Sequence, residues 1–88
     1  MGTVEDTLIE RGSVHGRFED NARIAQWLKD MFRGQTGWQK LNRVQCEALD
    51  MIALKIARVL SGDGDPYHID HWHDIAGYAT LVVKGLEG

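Results

Sequence analysis

Four carboxylates offer the chemistry in this chain. Glu47 and Asp50 stand in "CEALD", and Asp70 and Asp74 in "DHWHDIAGYATL". At helical spacing each pair shares one face. Asp50, Asp70 and Asp74 have no Lys or Arg three or four residues away, and Glu47 has only Arg43. Like charges one turn apart repel by roughly a few tenths of a kcal/mol, so facing pairs on neighbouring helices would call for a cation. A hard divalent ion, Mg²⁺ or Mn²⁺, takes carboxylate oxygens and keeps open positions for substrate phosphates. The expected metal set is Glu47, Asp50, Asp70 and Asp74, with Glu47, Asp50 and Asp74 as the catalytic group that activates a water against a phosphoanhydride. Lys55 and Arg58, one and two turns beyond Asp50 on the same helix, suit the phosphates, and Arg58 can fork onto two oxygens. Gly77 on the acid face leaves room for a ligand or a close helix. The competing account is equally physical. Acids solvate helix surfaces, Asp70 near a helix start favours the macrodipole, and basic partners can come from other helices.

The elements that must position these residues are set off by breakers. "TVEDTLIERG" suggests a short helix from about Val4 to Arg11, and "SVHG" turns. From Phe18 to about Arg33, Phe18, Ile24, Ala25, Leu28, Met31 and Phe32 fall on one arc opposite Glu19, Arg23, Gln26, Lys29 and Asp30. Gly34 ends that helix. A longer one is expected from about Lys40 to Leu60, with Leu49, Ile52, Ala53, Ile56, Val59 and Leu60 inward. The "SGDGDP" loop follows. Asp65 and Pro66 read as N-cap and first residue of a last helix to about Lys84, with Trp72, Ile75, Ala76, Ala79, Val82 and Val83 toward the core. No strand alternation is present. The expected fold is all-α, one helical domain over 1–88, with three main helices and a short N-terminal one. At 88 residues a single core is only just sufficient, so self-association into a dimer or tetramer should complete the bundle.

Composition narrows the partners. Apolar residues are 43% and charged ones 26% of the chain, an ordinary globular balance. A net charge of −3 without a basic run argues against nucleic acid, and no apolar run reaches membrane-spanning length. The single Cys46, and an N-terminus without an apolar leader pattern, point to a reducing cytoplasm. Cys46 reads as a packed thiol.

Glu47-x-x-Asp50, some twenty residues, then an acid motif ending in Asp74 resembles the metal-binding pattern of the all-α NTP pyrophosphatases, the MazG-like group. That resemblance implies a Mg²⁺-dependent hydrolase taking nucleoside triphosphates to monophosphate and pyrophosphate, as a dimer or tetramer. His71 stands where the family's second Glu would be, with Asp70 one place earlier. Separately, "ERGSVHGRFEDNARIA", "MIALKIARV" and "DIAGYATL" are similar to small phage and prophage proteins without assigned chemistry, over Glu10 to Leu81. Together these imply a phage-type nucleotide pyrophosphohydrolase acting on (d)NTPs; the alternative is a non-catalytic helical interaction module of phage origin.

Other residues have two readings each. Asn21, in the middle of an apolar arc, either contacts a base edge or clamps the "RGSVHG" turn. Tyr78 borders the acid face and either touches substrate or packs. Trp72 reads as core, and Trp27 and Trp38 as an oligomer interface in preference to a base-stacking wall. His68, His71 and His73 with Asp70 and Asp74 offer ligands for Zn²⁺, Mn²⁺ or Fe²⁺, and His73-Asp74 invites comparison with HD phosphohydrolases, although His15 is the one further histidine.

Overall fold

A computed structural model describes Thr3, Val4 and residues 16–88. The short helix expected over 4–11 lies outside the described residues apart from Val4. The rest is all-α: α1 (Phe18–Arg33), a 3₁₀ helix (Thr36–Lys40), α2 (Arg43–Leu60) and α3 (Ile69–Glu87). No described helix is long and apolar enough to cross a membrane.

Local chemistry explains the boundaries that differ from expectation. α2 begins at Arg43 because Asn42 and Gln45 form a capping box: Asn42 Oδ1 accepts from the Gln45 N–H at 2.8 Å, and Gln45 Oε1 accepts from the Asn42 N–H at 2.9 Å. Residues 36–40, expected as loop and helix start, wind as the 3₁₀ turn. Asp65 does not cap α3. Its Oδ1 accepts from the Tyr67 N–H at 2.9 Å, closing a tight side-chain turn, and the helix starts at Ile69 after His68.

α2 is the middle of the fold, with α1 packed on one side and α3 on another. α1 and α3 hardly meet, so the three helices form an open layer. The fully buried apolar side chains among the described residues are all alanines: Ala25, Ala48, Ala53 and Ala57. Small side chains bring helix backbones close but remove little apolar surface from water. The one large side chain in the same class is His71, 1% exposed.

α1 turns Asn21, Ala25, Leu28 and Phe32 inward, and α3 turns His71, Ile75, Tyr78 and Val82 inward, both at spacings of four, three and four. The expected inward stripe of α3 is therefore misphased by roughly 70° at 100° per residue. Trp72 (52% exposed), Ala76, Ala79 and Val83 (51%) face outward. Trp72 is not core: its indole N–H donates to the Pro66 carbonyl at 2.8 Å, which holds the ring against the loop and leaves one face open. Phe18, at the start of α1, is also exposed.

Candidate functional site

The acid-bearing helices run antiparallel: Lys55 meets Asp74, while Ala48 and Ile52, a turn or two earlier on α2, lie beside Ala79 and Val82 on α3. Residues 61–68 make the short connection that this arrangement requires.

Each central acid has a cation from another helix. Arg33, in the last turn of α1, forks onto Asp50, with Nη1 donating to Oδ1 at 3.0 Å and Nη2 to Oδ2 at 2.7 Å. The guanidinium also lies 4.6 Å from the ring centre of Trp38, which stacks on Phe32 at 6.0 Å. The 3₁₀ turn thus clamps the pair from the side. Donation by Arg33 holds the Asp50 carboxyl below the usual carboxylate range, although partial burial opposes this, and the same bond raises Arg33 further. Lys55 donates from Nζ to Asp74 Oδ2 at 2.8 Å. That bond, aided by the charge itself and more weakly by Arg58, lowers Asp74 as well. Lys55 lays its stem along the helix interface, so its side chain is only 11% exposed against 47% for Asp74.

The two pairs sit on different sides of α2. Asp50 turns to α1 and Lys55 to α3, roughly 140° apart around the helix at 100° per residue. Glu47 is exposed and has no ion pair among the described residues. Asp70 is exposed, with Oδ2 3.4 Å from His68 Nε2, and His68 meets the buried His71 edge to face at 5.1 Å. Among the described residues no three His, Cys, Asp or Glu side chains gather in a way that could hold a metal ion. Among the described residues the expected donors are therefore spread over different faces rather than gathered at one point.

The family model described as "Domain of unknown function (DUF6378)" matches residues 3–85. The chain belongs to this family. No curated protein and no solved structure matches it. The matched stretch of the DUF6378 chain includes both ion pairs and nearly all of α3.

Of the residues singled out in the DUF6378 sequence, the fold brings Lys55 onto Asp74 and sets Asp74, Gly77 and Tyr78 around one concavity of about 350 Å³, with His73 and Leu81. Arg58 is half-buried and near enough to bias Asp74. Glu47 and Asp50 are not part of that group. Asn21 is 6% exposed on α1, and its Oδ1 has no hydrogen-bond partner among the described residues. Arg33 escapes sequence reasoning, and Trp38, expected at an interface, lies against Arg33 and Phe32 of its own chain. Nothing local marks Arg33, since its acid lies seventeen positions away.

Beside the acids runs a second feature. Trp72, Ala76, Ala79, Val83 and Leu86 recur at four, three, four and three residues along the outer side of α3, every one exposed. That is the spacing of a coiled-coil seam. It continues onto α2 through an apolar concavity of about 290 Å³ lined by Leu49, Ile52, Ala79 and Val82 among others.

Proposed function

We propose that this DUF6378 domain is a non-catalytic helical interaction module that receives another helix along the outer side of α3. The observation that carries the reading is the uncovered seam of Trp72, Ala76, Ala79, Val83 and Leu86. An apolar stripe on a three-turn or longer helix normally lies against a neighbour, and among the described residues none covers this one. Trp72 is prepared for burial. Its one polar group is already bonded to Pro66, so covering the ring strands no donor.

The charge pairs support the same reading. Acids engaged by Arg33 and Lys55 act as clasps between helices, which fix the surface that α3 presents. Anilinonaphthalene sulfonate, a dye that brightens on apolar surface, tests the reading when read beside the mass of the protein. It should bind wild-type monomer at high dilution and fail to bind Val83→Glu. Equal, negligible dye binding by both monomers would overturn it.

A second reading follows the resemblance to the all-α NTP pyrophosphatases: hydrolysis of (d)NTPs with Mg²⁺ or Mn²⁺. Its support is the concavity over Asp74, Gly77 and Tyr78 beside the Lys55 ammonium. A melting midpoint that rises with millimolar Mg²⁺ plus a dNTP, together with pyrophosphate release, would favour it, because a ligand of the native state must stabilise that state. No shift and no release would remove it.

A further inference from the structure

We infer that one buried water molecule joins the Asn21 side chain of α1 to the Ser61 hydroxyl at the end of α2, and so fastens the start of α1 to the loop between α2 and α3.

Two polar side chains carry the inference, and both are more than nine-tenths buried. Asn21 is 6% and Ser61 4% exposed, and neither Asn21 Oδ1 nor Ser61 Oγ has a hydrogen-bond partner among the described residues. Their backbones are served. The Asn21 N–H donates to the Arg17 carbonyl at 3.0 Å, and the Ser61 N–H to that of Ala57 at 2.9 Å. The deficit is confined to the side chains. A buried polar atom left without a partner lowers the folding equilibrium by roughly 5- to 150-fold, so two of them call for a ligand.

The register of α1 on α2 brings the two together. At one end Arg33 forks onto Asp50; at the other the buried Gly16, just ahead of α1, lies against the Ser61 side chain. The helices are therefore antiparallel. Asn21 stands twelve residues before Arg33 and Ser61 eleven after Asp50, and at 1.5 Å per residue those distances match, which sets Asn21 level with Ser61. Outside them Arg17 pairs with Asp63 at 3.4 Å, and the Gly64 N–H donates to the Ser61 carbonyl at 3.0 Å. The loop thus folds over the same corner.

Chemistry selects the ligand. Asn21 Oδ1 only accepts, whereas a serine hydroxyl donates and accepts, so whatever lies between them must donate to the first and can do either with the second. Neither group is charged, and an ion held by these two alone would be buried uncompensated. One turn away on the same faces stand Ala25 and Ala57, both buried, whose methyl groups offer no hydrogen bond. A neutral molecule small enough for an interior corner, with protons to give and lone pairs to receive, is water, which bridges polar groups that do not reach each other directly.

A high-resolution crystal structure of the wild-type chain tests this. One water should lie about 2.7–3.0 Å from both Asn21 Oδ1 and Ser61 Oγ. A direct bond between the two side chains, or an interior without that water, would overturn the inference. Urea unfolding supplies an independent check. Asn21→Leu and Ser61→Ala should each lower the folding constant about 10-fold, because each strands the side chain that remains. The double variant should match the weaker single variant rather than reach the product of about 100-fold, since no buried polar group is left to strand. Effects that simply multiply would mean that the two groups share no ligand, and would overturn it as well.

Discussion

Asp50 accepts both terminal nitrogens of Arg33, and the fork closes the corner between α1 and α2. The geometry is planar and bidentate, and the Asp50 side chain is only 17% exposed. Asp50→Asn removes one acceptor oxygen and the charge together. The melting midpoint should fall by about 3–5 °C without any added metal. Arg33→Lys should not restore the fork, because an ammonium cannot make two parallel bonds. A midpoint for Asp50→Asn equal to wild type in metal-free buffer would show that the clasp contributes nothing.

Acid should loosen both clasps. Asp50 and Asp74 titrate lower in the folded chain than when unfolded, each chiefly through its hydrogen bond to a cation. Groups shifted that way stabilise the native state above the unfolded pKa, about 3.9 for Asp, and lose the contribution as pH falls through the folded value. Stability from these two groups is thus constant at neutral pH and declines below about pH 4. Urea midpoints measured from pH 7 down to pH 3 should show that decline, and it should be shallower in Lys55→Met.

His71 fills the junction of α2 and α3 with the largest fully buried side chain. His71→Ala would leave a ring-sized void in the buried interior. The expected loss is on the order of 3 kcal/mol in urea unfolding, a large part of the stability of a domain this small. A loss below about 1 kcal/mol would mean that the helices collapse onto the gap.

Gly77 lies inside α3, and a Cβ added there would meet nothing within 4 Å. Gly77→Ala should therefore stabilise the chain by about 1 kcal/mol, the helix-propensity difference. It lies well round the helix from the seam, so association should be unchanged. Loss of a nucleotide-induced melting shift in this variant would instead assign the space above Asp74 to a ligand.

Gly16 behaves oppositely. Its φ is +82°, and an added Cβ would overlap the Ser61 side chain. Gly16→Ala should cost more than about 1 kcal/mol, since it meets both a disfavoured backbone region and a side chain with nowhere to go. Thermal melting of the two glycine variants side by side should show opposite signs.

Much of this was legible in the sequence. Periodicity located α1 closely, and breakers located the other two helices within a few residues. The Asn42-x-x-Gln45 capping signature was present and would have placed the start of α2. The phase of α3 was not legible, because hydrophobic weighting puts Trp72 inside and His71 outside. The structure does the reverse: the loop's Pro66 carbonyl ties down the indole, and the imidazole packs between helices. The acids had a similar history. Pairing checks along a single helix find no partner for Asp50 or Asp74, since the partners come from other helices. Lys55 stands out in the sequence as a phosphate ligand, whereas in the fold its partner is Asp74.

The alanines of α2 have a mechanical consequence. Ala48, Ala53 and Ala57 are buried, and an alanine has no rotamer with which to absorb a displacement. Displacement at those points must be taken up by the larger side chains that α1 and α3 turn inward, Leu28 and Phe32 on one flank and Ile75 and Tyr78 on the other.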